Sequence, residues 1–189
     1  MNKFSAIVVV LIIALAATTA CSNKKDNAAI QGDRMPVRTI NDMKMDMLPD
    51  SGNHIADPDG FLLPKTKERN NKRIHKLQTA AGVNMAYAVA GRIDKEDVRD
   101  FALELGNKFG KQGSNQHKNI IVVIAVEQQK WYMAIGSGLK KEFPDTICEQ
   151  INHRSIANNV SRGNPDKAVN DIMDAVYERI KPKSTETDF

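Results

Sequence analysis

The sequence predicts an α/β fold: a three-layer α/β/α sandwich with a small central sheet of about four strands and helices on both faces. The first observation is an unbroken apolar run at residues 120–126, which is typical of a strand buried on both faces. The second is that segments before and after this run carry apolar residues at helical spacing. Buried strands alternating with amphipathic helices indicate a sheet lying between two helical layers.

The first half of the fold contains two predicted helices and a strand between them. A helix is predicted over residues 64–81, because Pro64 suits a first helical turn and Gly82 is a typical helix stop. Residues 83–90 form a predicted strand, and Asp94 is the predicted N-cap of the next helix. The apolar stripe of that second helix consists of Val98, Phe101, Ala102, Leu105 and Phe109.

The central strand is predicted to continue into a hairpin and a glycine-rich corner. Residues 120–126 and 131–135 are joined by a short polar turn, which indicates antiparallel pairing. The second strand runs into Gly-Ser-Gly at 136–138, and Pro144 and Asp145 then suit the start of a helix. Functional sites in α/β folds gather where strands end and helices begin, so we expect any function at this corner.

Two more helices are predicted after the corner, followed by a tail. Ile147, Cys148 and Ile151 mark the first of these helices, and an apolar face over residues 169–180 marks the second. Cys148 and His153 would point in different directions on a helix, so Cys148 is interpreted as a core residue and not as a nucleophile. Residues 182–189 are polar, and we expect them to be disordered.

The first 20 residues are typical of a secretory signal peptide, with a charged start, a short apolar core and small residues at the exit. The apolar segment is shorter than the ~20 residues of a membrane span. Thr-Thr-Ala-Cys at 18–21 resembles a bacterial lipobox, in which the thiol of Cys21 would carry diacylglycerol, although Thr18 departs from the usual Leu. We expect a membrane-anchored, extracytoplasmic lipoprotein on the periplasmic side or the cell surface; an ordinary signal peptide is the alternative.

Residues 21–52 are polar and lack a sustained period, so they are interpreted as a lipid-anchored flexible tether before a domain at 53–181. Met43, Met45 and Met47 alternate with charged residues there; an edge segment or a tether is favoured over a soft-metal site. The formal net charge of +4 is mild, and an exported chain does not meet genomic DNA, so nucleic acid is not an expected partner. With Cys21 lipidated, only Cys148 remains, which excludes an intramolecular disulfide framework.

The predicted helix over residues 64–81 carries many cations on its outer side. A solvated helix face is favoured, and attraction to an anionic lipid surface is the alternative. The cations are Lys65, Lys67, Arg69, Lys72, Arg73 and Lys76.

Three aspartates form the candidate metal site. Asp57 and Asp59 precede the first helix, and Asp145 lies at the strand-to-helix corner. If these loops converge at one end of the sheet, their oxygens could hold Ca²⁺ or Mg²⁺. The alternative is structural, because an aspartate also suits a turn or a helix start.

Several segments of the chain resemble the TPM-domain family, which is named for a thylakoid lumen phosphatase, a photosystem II repair factor and a receptor-modulating membrane protein. They are the Asp-Pro-Asp-Gly turn at 57–60 with its following apolar pair, the apolar strand from Asn119, and the Gly-Ser-Gly-Leu segment at 136–139 with Asp145 after it. The resemblance covers residues 55–180. It implies an exported or membrane-anchored α/β/α domain, for which divalent-metal binding, acid phosphatase activity and roles in membrane-protein assembly or repair have been proposed.

The chain departs from the family pattern at the site that the resemblance implies. Asp57 and Asp145 match acidic loop positions, but Lys140 stands where the family has Glu, and His-Lys-Asn at 117–119 replaces Asp-Asn-Gly. An ammonium in place of a carboxylate repels a divalent cation. The hypothesis is that Lys140 or Lys118 replaces the cation by pairing with Asp57 or Asp145, so that Ca²⁺ or Mg²⁺ binding is lost in this member.

The sequence therefore predicts a lipid-anchored binding or accessory module at the membrane, with a membrane-protein partner and a role in assembly or quality control. The alternative is a divalent-metal-dependent phosphatase using a corner that joins Asp57 and Asp145. A phosphatase needs a nucleophile or an activated water, and no convincing nucleophile is present, so catalysis is the less favoured reading. The predicted corner is lined by Lys118, Asn119, Gly136, Gly138 and Lys140.

Overall fold

Six strands and five α-helices are present in the computed structural model, which describes residues 35–46, 52–110 and 117–181. The strands are β1 (Val37–Arg38), β2 (Ile55–Ala56), β3 (Asn84–Ala90), β4 (Arg92–Ile93), β5 (Asn119–Ala125) and β6 (Lys130–Ile135). The helices are α1 (Pro64–Ala81), α2 (Val98–Phe109), α3 (Asp145–Ile151), α4 (Asn158–Val160) and α5 (Pro165–Ile180). A π-helix, Asn152–Ala157, connects α3 to α4.

The main sheet has four strands in the order β2-β3-β5-β6. β2, β3 and β5 are parallel, and β6 runs antiparallel to β5 as the second strand of the predicted hairpin. In β5, every residue after Asn119 is buried, as the unbroken apolar run predicts. The predicted sheet size and the central hairpin are confirmed.

Each face of the sheet has its own hydrophobic core. Ile120, Val122 and Ile124 of β5 pack with residues of α1 and α5, whereas Ile121 and Val123 pack with residues of α2. This alternation follows from the two-residue period of a strand, which sends neighbouring side chains to opposite faces. Burying an isoleucine contributes about 1.5–3 kcal/mol, so both helical layers are held firmly on the sheet. The three-layer α/β/α sandwich is confirmed.

Part of the predicted tether belongs to the folded domain, so the prediction is wrong for residues 35–46. β1 pairs in parallel with β4, and the side chains of Met43 and Met45 are buried in the α2-side core. A two-residue strand and a single 3₁₀ turn are too short to leave a periodic pattern, which is why the sequence did not reveal them. The signal peptide, tether residues 21–34 and 47–51 (with Cys21 and Met47) and the tail at 182–189 lie outside the described residues.

A buried histidine fastens this segment to the sheet. The ring of His54 is fully buried, and its Nδ1 lies 2.8 Å from the backbone carbonyl of Asp46, which can only accept a hydrogen bond. The backbone N–H of His54 donates to the Asn71 side chain at 3.0 Å. Burial lowers the pKa of His54, so the ring is held neutral with its proton on Nδ1.

The prediction that Asp94 caps the second helix is also wrong. The N-cap of α2 is Asp97, whose side chain accepts from the N–H of Arg99 at 2.8 Å. Asp94 instead donates its own N–H to the carbonyl of Arg38, because it extends the short β1–β4 pairing. Within the described part of the chain, no helix is both long and apolar enough to cross a membrane.

Candidate functional site

The glycine-rich corner is a closely packed backbone junction at one end of the sheet. The N–H of Gly136 donates to the carbonyl of Asn119, and the N–H of Gly138 donates to the carbonyl of His117, both at 2.8 Å. A Cβ on Gly136 would lie 2.4 Å from the carbonyl oxygen of His117. Only a glycine lets the two backbones approach this closely, so the Gly-x-Gly pattern is needed for packing.

Asn119 connects three elements at this corner. Its side-chain amide donates to the carbonyl of Gly110 at 2.7 Å, and its side-chain oxygen accepts from the amide of Asn84 at 3.0 Å. These bonds join the end of α2, the start of β3 and the start of β5. Asn119 therefore stabilises the fold through an uncharged amide. It belongs to the tripeptide 117–119, which stands where the family pattern has Asp-Asn-Gly.

Lys140 and Asp145 form an ion pair at the corner, with the ammonium 3.1 Å from the carboxylate. Both side chains are exposed, at 56% and 86%. An exposed pair of this kind contributes about 0–1 kcal/mol. Of the pairings that the sequence predicted for Lys140 and Lys118, this one is present. Lys118 makes no ion pair with any residue in the described ranges.

Asp57 is buried at the turn before α1. Its two oxygens accept from the backbone N–H groups of Phe61 at 2.8 Å and Leu62 at 3.0 Å, and the ammonium of Lys67 lies 3.2 Å away. The side chain is only 1% exposed. All of these donors hold Asp57 as an acceptor within its own loop, so its oxygens are already occupied.

Asp59 is held in the same way. One oxygen accepts from both Nε and a terminal nitrogen of Arg38, at 2.9 and 2.5 Å, and the other accepts from the N–H of Gly91 at 2.9 Å. The hydrogen bonds and charge of this carboxylate raise the pKa of Arg38. Arg38 lies in the segment predicted to be a tether, and no local sequence pattern indicates that it meets Asp59.

The three candidate aspartates do not converge. Asp57 and Asp59 follow β2, which pairs with the second half of β3, near the end where Ala90 pairs with Ala125. Asp145 lies beyond the opposite end, where Ile135 pairs with Ile120. Seven-residue strands separate the two ends by about 20 Å. A single metal site built from the three residues, and a phosphatase corner joining Asp57 to Asp145, are therefore wrong.

Each of the three carboxylates already faces a cationic side chain of the chain. Lys67, Arg38 and Lys140 place a cationic group against Asp57, Asp59 and Asp145 respectively. A Ca²⁺ or Mg²⁺ ion would have to displace or repel that group. No group of three or more His, Cys, Asp or Glu side chains within the described ranges is placed to hold a metal ion.

Several cations on the outer face of α1 form ion pairs within the chain. The ion pairs are Lys67 with Asp57, Lys72 with Glu68 at 2.8 Å, and Arg73 with Asp174 at 2.6 Å. Arg73 also lies 4.4 Å above the ring of Tyr177. At least three of the six cations are thus neutralised by neighbours, which favours a solvated helix face over a lipid-binding one.

Cys148 is a half-buried packing residue. Its thiol lies 3.6 Å from the carbonyl of Phe143, and the side chain packs against the α1-side core. Burial raises the pKa of the Cys148 thiol, which disfavours the reactive thiolate. His153 is exposed.

Comparison with known proteins supports the family assignment. A protein-family model described as "TPM domain" matches residues 55–179. Among solved structures, the N-terminal domain of a protein from P. gingivalis is 20% identical with a TM-score of 0.67; the match covers 80% of this chain and 99% of that domain. The BA42 protein from Bizionia argentinensis is 14% identical with a TM-score of 0.56, covering 69% of this chain and 89% of that one. No curated protein matches the chain significantly.

A third structure, the N-terminal domain of a protein from Corynebacterium glutamicum, is 11% identical with a TM-score of 0.55; the match covers 71% of this chain and 84% of that domain. At these identities the similarity shows a shared fold. Function has to be argued from the residues of the site.

Proposed function

Since the chain belongs to the TPM-domain family, we propose that it is a lipid-anchored, extracytoplasmic binding or accessory module at a bacterial membrane, acting on membrane-protein assembly or quality control. The observation that carries this proposal is that each aspartate of the candidate site is held by a cationic side chain of the same chain. Carboxylates engaged in this way stabilise a scaffold and are poorly placed to hold a catalytic metal ion.

The distance between anchor and domain limits where a partner would lie. Residues 35–46 pack on the domain, so the connecting chain runs only from Cys21 to Met35. Fully extended, these fourteen positions span at most about 50 Å. A domain anchored at Cys21 would therefore stay close to the bilayer, within reach of the extracytoplasmic parts of membrane proteins.

The anchoring part of the proposal is tested by fractionation. We expect the unaltered chain to sediment with membranes in a bacterial host and to partition into detergent, because diacylglycerol at Cys21 binds the bilayer. Cys21→Ala should shift the protein to the soluble extracytoplasmic fraction or leave it unprocessed. Cys148→Ala is the matched control and should fractionate like the unaltered chain. Recovery of Cys21→Ala on membranes as a processed protein would contradict lipid anchoring.

The metal part is tested by titrating Ca²⁺ and Mg²⁺ into a chain that begins at Ser22, with calorimetry as the measurement. We expect no saturable binding up to about 5 mM. A site with a lower affinity than the extracellular Ca²⁺-binding modules would not hold the ion at physiological concentrations. Lys140→Glu should create weak binding at the corner, which Asp145→Asn should remove. Saturable binding by the unaltered chain that Asp145→Asn abolishes would contradict the accessory module and support a metal-dependent activity.

A further inference from the structure

The outer edge of β6 carries main-chain groups without partners. The bond from Gly136 to Asn119 fixes the antiparallel register, in which alternate residues of β6 bond to β5. The N–H and C=O groups of Trp131, Met133 and Ile135 consequently point away from the sheet. Within the described ranges, none of these outward groups has a hydrogen-bond partner.

A groove of about 400 Å³ runs along this edge. Its base is the stretch from Tyr132 to Ile135, and Arg99 and Leu103 of α2 line one wall. The other side is lined by Cys148, Glu149, Asn152 and the ion pair of Lys140 with Asp145. The outer edge of β6 thus lies in a recess between two helices. The recess is large enough to hold a small ligand or a short peptide.

Apart from Lys130 at its start, β6 carries none of the sequence features that normally protect an edge strand. Residues 131–135 contain no charge and no proline, and the six-pair register with β5 has no bulge. The opposite edge of the sheet, β2, is only two residues long and offers little to pair with. The open edge of β6 is therefore the place where this sheet can gain a strand.

The α2 wall of the groove indicates which side chains such a strand would place against α2. Arg99 forms no ion pair with the described part of the chain, and Leu103 is 44% exposed, although both face the groove. They lie one helical turn apart, about 6 Å along the axis. Side chains two positions apart on a strand are separated by about 6.8 Å. This spacing is close to the separation of Arg99 and Leu103, so two such side chains could contact both residues.

We propose that β6 binds an extended segment of a partner protein as a fifth strand of the sheet, with a carboxylate of that segment facing Arg99 and an aliphatic side chain two positions away on Leu103. The proposal rests on the proposed function, because it gives the binding module its binding surface. A second copy of the chain fits less well, since its own α2 and α3 flank its β6 and would meet the same helices here. Main-chain pairing supplies the affinity, and the two side chains supply selectivity.

The test is an NMR titration of the ¹⁵N-labelled chain from Ser22, because both cores lie within the compact unit from Met35 to Phe189. The probe is a blocked peptide, Thr-Thr-Asp-Thr-Leu-Thr-Thr, added to about 2 mM. We expect saturable shifts of the amides of Trp131, Met133 and Ile135, with Kd on the order of 10⁻⁴ M, typical of a short peptide with few anchors. The same peptide, N-methylated at the alternate residues whose N–H groups face β6, cannot donate to that strand and should not bind.

Two variants separate main-chain pairing from other binding. Ile135→Pro removes an outward N–H and keeps the ladder to β5, so the affinity should fall at least about tenfold while the spectrum stays folded. Arg99→Glu should weaken binding about tenfold and reverse the preference toward a peptide with Lys in place of Asp. Arg69→Glu, on the exposed face of α1, is the matched control and should bind normally.

Absence of shifts at the β6 edge, or binding that tolerates N-methylation and Ile135→Pro, would overturn the proposal. Shifts of the β6 amides that depend on protein concentration without peptide would also overturn it, because they would assign the edge to a second copy. These readouts use a chain without the anchor, so failure of membrane fractionation and failure of peptide binding are separate results.

Discussion

Asp57→Ala is expected to lower the free energy of unfolding by about 3 kcal/mol, while Asp145→Ala changes it by less than about 0.5 kcal/mol. The side chain of Asp57 is 1% exposed and accepts from the backbone N–H groups of Phe61 and Leu62. Removing it leaves both donors without an acceptor in a loop that carries the buried Leu62. Asp145 is 86% exposed, and water replaces its single partner.

Urea denaturation followed by the fluorescence of the single tryptophan, Trp131, measures both variants. The loss at Asp57 corresponds to a fall in Tm of about 6–12 °C for a unit of this size. Asp57→Asn is the conservative control: it keeps an acceptor oxygen and loses the charge, so it should fall between the other two. Equal stability of Asp57→Ala and Asp145→Ala would contradict the structural role assigned to Asp57.

This contrast shows why the site was harder to predict than the fold. In sequence, Asp57 and Asp145 look alike, since each precedes a helix and each matches an acidic position of the family. Their placement depends on the strand order and on the direction of β6, which reverses the chain and carries Asp145 to the far end of the sheet. Local spacing contains no information on which end of the sheet a loop reaches.

The fold was predictable where the signal was long and periodic. The helix predicted over 64–81 matches α1, whose Gly82 adopts a left-handed conformation at φ 64° and stops the helix as expected. The buried run at 120–126 matches β5 to within a residue. β1, β2 and β4 have two residues each, so their positions come from pairing partners distant in sequence, and no local pattern marks them.

The partners of the buried aspartates were missed for the same reason. Arg38 reaches Asp59 because β1 pairs with β4, a contact between segments more than fifty residues apart in sequence. Lys67 lies ten positions after Asp57, in the first turn of α1, where its charge looked like part of a solvated face. The high proportion of lysine and arginine near the aspartates was visible, but which cation meets which carboxylate was not.

Gly136→Ala is expected to destabilise the domain by about 3 kcal/mol, whereas Gly106→Ala should stabilise it by about 0.5–1 kcal/mol. The added methyl at Gly136 meets the backbone oxygen of His117, which cannot rotate away as a side chain can. At Gly106, inside α2, the new Cβ has no atom within 4 Å, so only the helix propensity changes. The pair thus compares the same substitution in a closed and an open environment.

Thermal unfolding measures the stability of the two glycine variants. The peptide titration measures whether the glycine-rich corner affects peptide binding at the β6 groove. Gly136 directly follows Ile135 and holds the end of β6 on β5 through its N–H. If the corner fixes the edge strand, Gly136→Ala should weaken peptide binding at temperatures where the protein is still folded, and Gly106→Ala should leave it unchanged. Unaltered stability of Gly136→Ala would mean that the backbone junction yields, and would contradict the requirement for glycine at this corner.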